Sequence, residues 1–115
     1  MKLTFFCYAV LTLYLTLLFA CSKEQVDTEP SAGELVFNKN CKVCHAQGIN
    51  GAPIIGNQAM WQPRLSKGEQ ALVQSALNGF GLMPARGGKD GKNGSQLLPD
   101  EDIKLAVAFM LSKVE

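Results

Sequence analysis

The sequence has little of what a large or self-sufficient enzyme needs. Its 115 residues hold one histidine and one tryptophan, and 11 basic residues face 10 acidic ones for a formal net charge of +1. A lone histidine excludes any centre that takes two imidazoles from one chain. The near cancellation of charge argues against a nucleic-acid binder, which carries a basic excess and a basic patch. Six phenylalanines and a length that supports one domain leave room for only a thin hydrophobic core, of the kind that needs a staple, a metal or a cofactor. Nowhere does the chain show the two-residue alternation of a β-strand, so the expected class is all-α.

Charge is absent between Lys2 and Lys23, where Leu3 to Ala20 is an almost wholly apolar run of 18 residues. A positive start followed by such a run reads as an export segment. It ends in Leu17-Leu18-Phe19-Ala20-Cys21-Ser22, which resembles a bacterial lipoprotein signal, although that family prefers a small residue where Phe19 stands. The resemblance implies cleavage after residue 20, lipidation of Cys21 and, with Ser22 rather than Asp next, passage to the outer membrane. The alternative is an uncleaved helix in the inner membrane with Cys21 as an ordinary thiol. In both, the rest of the chain lies on the periplasmic side of a bacterial membrane. Residues 21–30 are polar and read as a tether. Residues 31–115 form the domain, with nine basic and seven acidic residues.

Ser31 stands three residues before Glu34, a capping-box spacing that predicts a helix over about 32–40. Residues 46–65 contain three glycines and two prolines and are expected to be irregular. Ser66 and Glu69 form a second capping-box pattern ahead of Leu72, Val73, Ala76 and Leu77 at helical spacing, with Asn78-Gly79 as the stop. Glycine-rich loop is expected from Gly79 to Leu98. Pro99 then opens a last helix, with acidic residues in its first turn and an apolar stripe of Ile103, Ala106, Val107, Met110 and Val114. Three or four short helices joined by two long loops ask for an internal scaffold.

Cys41-Lys42-Val43-Cys44-His45 supplies one. In C-x-x-C-H the two cysteines lie on neighbouring faces of a helical turn and can bond the two vinyl groups of a haem, while the adjacent histidine turns to the iron. A thioredoxin-like pair would need a βαβ setting, and a zinc site a fourth ligand. A structural disulfide is open on composition. The adjoining His45 and the export segment favour one covalent haem c. Cys7 leaves with the signal and Cys21 takes lipid, so no thiol is left over. With no second histidine, the other axial ligand is expected to be a methionine: Met60, Met83 or Met110. Met110 lies on an apolar stripe and Met60 in the first loop. Met83 is flanked by Gly79, Gly81 and Pro84, which free the approach and fix the exit, and is the expected ligand.

In this order and spacing, Gly33-x-x-x-Phe37, Cys41 to His45, Gly51-Ala52-Pro53-x-x-Gly56, Trp61-x-x-Arg64, Met83-Pro84, Gly87-Gly88 and Leu98-Pro99-Asp100-Glu101-Asp102-Ile103 resemble a class I c-type cytochrome, nearest the short bacterial cytochrome c-five group. The resemblance implies the cytochrome c fold and a Pro53 carbonyl on the second ring nitrogen of His45. It also implies close crossing of the first and last helices at Gly33, with Phe37 near Phe109. Trp61 and Arg64 would be donors near a haem propionate, with a plain core aromatic as the other reading of Trp61. The extra cysteine pair that many members carry before the last helix is missing from Gly87 to Leu98, and Pro99 replaces a usual serine.

An iron held by His45 and Met83 has no open face for substrate, and thioether ligation favours the ferrous state. Leu72, Leu77, Ile103 and Met110 would keep water off it. The expectation is a one-electron carrier rather than an enzyme, tethered to a membrane and shuttling between redox proteins such as an oxidase, reductase or dehydrogenase. Lys39, Lys42, Arg86, Lys89 and Lys92 could steer docking or be ordinary solvated surface. The alternatives are a haem subunit fixed in a larger oxidoreductase and a five-coordinate haem that binds gas or peroxide.

Overall fold

The computed structural model describes residues 29–114. The expectations for the export segment, for most of the tether and for Cys21 lie outside the described residues.

Ser31 caps the first helix, α1 (Ala32–Asn40), by accepting from the Glu34 amide at 3.2 Å. One further turn, α2 (Lys42–His45), follows at once. α3 (Gln58–Leu65), α4 (Glu69–Asn78) and α5 (Asp100–Leu111) complete the helices, and short 3₁₀ turns stand at Ile49–Gly51 and Ala85–Gly88. The described residues contain no strand, only an isolated antiparallel bridge between Phe80 and Met83. The all-α expectation holds.

α3 corrects the expectation of irregular chain through residues 46–65. Asn57 caps it by accepting from the Met60 amide at 3.1 Å, and Trp61 anchors it in the core. Pro63 sits inside the helix and removes one backbone donor. Ala59, four residues earlier, is exposed, so water can take the carbonyl that Pro63 leaves. The second capping box is also corrected. Ser66 closes α3, donating its hydroxyl to the Pro63 carbonyl, and Gly68 precedes α4 with φ +81 and no side-chain cap. Two helices meet there with only Ser66, Lys67 and Gly68 between them. Pro99 is the residue before α5, whose first turn carries Asp100, Glu101 and Asp102.

α1 crosses α5 at Gly33, which is buried. A Cβ there would run into the Leu105 carbonyl and lie 3.0 Å from the Phe109 Cβ. One turn on, the Phe37 and Phe109 rings pack at 5.5 Å, tilted by 50°. Phe37, Trp61, Met110 and Val114 form one core cluster, and Val73, Ala76, Ile103 and Val107 form another, with Leu72 and Leu111 touching both. Burying each large side chain contributes roughly 1.5–3 kcal/mol. α5 lies between the two clusters and supplies residues to each, which makes it the spine against which the site is built.

Candidate functional site

The two clusters leave an apolar cleft between them, lined by Cys41, His45, Ala76, Met83, Gly87, Ile103, Ala106, Val107 and Met110. Four segments of chain contribute: the α1–α2 junction, α4, the loop after it, and α5.

Cys41 is placed by the end of α1, where its amide donates to the Phe37 carbonyl at 2.9 Å. The His45 amide donates back to the Cys41 carbonyl at 3.1 Å, closing the turn that carries the motif. Cys41 and Cys44 are both free thiols. As a free thiol, ahead of any thioether bond, Cys41 is pushed up to about 11, by burial first and by Cys44 second. His45 is buried, and its Nδ1 lies 2.9 Å from the Pro53 carbonyl oxygen. A carbonyl only accepts, so Nδ1 donates, and the lone pair of the neutral ring lies on Nε2. The His45 carbonyl in turn accepts from the Ile55 amide at 2.8 Å, which ties the Pro53 segment to the motif.

Of the three methionines considered, Met83 and Met110 line the cleft. Met110 is 5% exposed and belongs to the Phe37–Trp61 cluster. Met83 comes from a tight loop in which Phe80 and Met83 exchange two backbone hydrogen bonds of 3.0 Å. Gly79 makes that loop possible: with φ +85 it lies where a Cβ would be 3.0 Å from both the Met83 carbonyl oxygen and the Ala85 amide nitrogen. Ile103 also lines the cleft, while Leu72 and Leu77 pack behind it.

Trp61 is buried, stacks near His45 with centroids 6.4 Å apart, and donates its indole N–H to the Ile54 carbonyl at 2.8 Å. Arg64 donates to the Met60 carbonyl at 2.5 Å. Neither is among the residues lining the cleft. Main-chain carbonyls accept from Arg64 and from the Trp61 indole. Its hydrogen bond also braces the Pro53–Ile54 segment behind His45.

The donor set suits a covalent haem: two free thiols three residues apart, a buried imidazole with Nε2 unprotonated, apolar walls and a thioether brought in by a constrained loop. Comparison with known families agrees. Residues 28–110 match the family described as cytochrome c oxidase, cbb3-type, subunit III. The chain belongs to the class I monohaem cytochrome c family. It is 34% identical over 89 residues to cytochrome c-555 of Chlorobaculum tepidum, covering 74% of this chain and 77% of that one. It is 36% identical over 90 residues to cytochrome c6 of Leptolyngbya boryana, covering 76% and 95%. Among solved structures it resembles the cytochrome c in an electron transfer complex with nitrite reductase, with 36% identity, a TM-score of 0.64 and coverage of 73% and 95%. The cytochrome therefore carries one haem c, bound through Cys41 and Cys44.

One residue with consequences for the site was missed by the sequence reasoning, which grouped it with surface cations. Arg86 is only 20% exposed in its side chain and donates to the Leu98 carbonyl at 2.6 Å and to Asp100 Oδ1 at 2.5 Å. Its partners lie 12 and 14 residues away, beyond any local pattern.

Proposed function

We propose that this cytochrome is a one-electron carrier whose haem iron is held by His45 and Met83. The observation that carries the reading is that both residues line one apolar cleft while the other methionine there, Met110, is buried in the Phe37–Trp61 core cluster. The haem supplies the ferric–ferrous couple. The protein's own residues do the rest. Pro53 fixes the tautomer and orientation of His45, Ile103 and Met110 exclude water, and the Gly79–Pro84 loop delivers Met83. A redox titration of the purified protein is expected to follow a single one-electron transition.

The partner class is redox proteins, in line with the structural neighbour from a complex with nitrite reductase. We place the cytochrome on the periplasmic side of a bacterial membrane, with residues 1–20 removed, lipid on Cys21, residues 21–30 as tether and the haem domain in 31–115. Mass spectrometry of the membrane-extracted protein tests this. Recovery of a diacylglyceryl-modified Cys21 at the N-terminus supports the anchor, and an intact Met1 refutes it.

A second reading is a haem subunit fixed in a larger oxidoreductase, favoured by the description of the matched family as an oxidase subunit. The near-complete coverage of small relatives favours a free carrier. Stoichiometric co-purification with an oxidase through detergent extraction would establish the fixed subunit.

A further inference from the structure

The loop that delivers Met83 runs straight into a strained and heavily engaged residue. Arg86 has φ +55 and ψ 32, a left-handed conformation that side chains rarely adopt, and Gly87 follows at φ +61. A non-glycine residue stays there only where its surroundings over-determine it. The surroundings of Arg86 do so. Its guanidinium reaches the start of α5, with Leu98 O just before the helix at 2.6 Å and Asp100 Oδ1 in its first turn at 2.5 Å, and the Leu98 amide closes the same loop onto the Lys89 carbonyl at 2.8 Å. Gly87 presses on α1, where a Cβ would lie 3.1 Å from the Asn40 carbonyl oxygen. Upstream, Lys67 Nζ sits 5.4 Å from the centre of the Phe80 ring. The Met83 loop is thus held at its start by Lys67 and at its exit by Arg86. The exit is the stronger fastening, because charge-assisted bonds from a planar guanidinium fix orientation as well as distance.

We infer that Arg86 is a positioning residue for the Met83 thioether, locking the ligand loop to the start of α5 so that sulfur competes effectively for the iron. The inference rests on the His45/Met83 reading. It gives the 87–98 segment, which has no cysteine, a non-covalent fastening whose strength sets how readily sulfur lets go.

The test is imidazole binding to the full-length oxidised holoprotein, followed by loss of the sulfur-to-iron charge-transfer band. Arg86→Gln is expected to bind imidazole about tenfold more tightly than wild type, the scale of losing a charge-assisted hydrogen bond. Asp100→Asn, which keeps the Leu98 contact and an acceptor oxygen but removes the negative charge of an exposed partner, is expected to shift the affinity by about two- to threefold. Arg86→Lys should fall between Arg86→Gln and wild type. Val114→Ala, a cavity in the Phe37–Trp61 cluster, serves as control: it lowers the melting temperature and leaves imidazole affinity unchanged. Arg86 variants that bind imidazole like wild type, or like Val114→Ala at matched stability, would overturn the positioning role and leave His45/Met83 ligation intact. A wild-type protein without the charge-transfer band would overturn both.

Discussion

The Pro53 carbonyl oxygen lies 2.9 Å from Nδ1 of His45, eight residues away. That contact fixes which nitrogen is free for iron and makes the imidazole a stronger donor. The segment is braced from behind, because Ile54 accepts from the Trp61 indole and the Ile55 amide donates to the His45 carbonyl. The proximal side is therefore rigid, and in the proposed ligation Met83, on its loop, is the ligand that can be exchanged.

Pro53→Gly keeps the carbonyl and frees its backbone. Loss of the fixed φ is expected to cost about 0.4–1 kcal/mol, or roughly 2–8 °C in melting temperature for a domain of this size. A looser hydrogen bond weakens donation by His45, which stabilises the ferric state less. The midpoint potential should rise, and a redox titration measures it.

Gly33→Ala drives a methyl group into the Leu105 carbonyl and toward the Phe109 Cβ. Backbone cannot move aside as a side chain can, so α1 and α5 must separate. The expected cost is about 1–3 kcal/mol. Chemical denaturation of the holoprotein gives the value, and an unchanged midpoint would count against close crossing.

Asp90 accepts from the Lys92 amide at 3.1 Å, and that bond, ahead of the charge of Lys92, holds its carboxyl below the usual carboxylate range. A lowered folded value means the carboxylate contributes stability above the ordinary pKa, and the contribution fades as pH falls through the lowered one. Protection of the Lys92 amide, the intrinsic exchange rate at each pH over the observed rate, should fall in that acid window. In Asp90→Asn the acid-dependent step should be gone.

Lys39, Lys42 and Lys89 are exposed, whereas Arg86 is paired with Asp100, and Lys92 Nζ lies 3.6 Å from Asp90. If the exposed lysines steer docking, raising ionic strength from 0.01 to about 0.2 M should slow electron transfer to an acidic redox partner several-fold. A rate independent of salt would leave these lysines as plain surface.

Much of the site was legible because its chemistry is local. The span of Cys41 to His45 sets two thiols and an imidazole within one turn, and Ser31 and Gly33 mark a cap and a crossing that the structure contains. What was hidden was either masked by a neighbouring residue or set by distant chain. Pro63 masked α3, whose start was nonetheless written in Asn57 as a helix cap. Ser66 and Glu69 had the spacing of a capping box, yet Gly68 at φ +81 intervenes and Ser66 ends the helix before it. Arg86 looked like one of five surface cations, since its partners at Leu98 and Asp100 are set by the fold.

The central claim is that an iron ligated by His45 and Met83 carries one electron and offers no open face. It is tested most directly by the oxidised and reduced absorption spectra of wild type and Met83→Ala, with carbon monoxide added to the reduced forms. The expected result is a sulfur-to-iron charge-transfer band and no ready carbon monoxide binding in wild type, with the band lost and carbon monoxide bound in Met83→Ala. A wild-type protein that binds carbon monoxide readily, or a Met83→Ala variant that keeps the band, would contradict it.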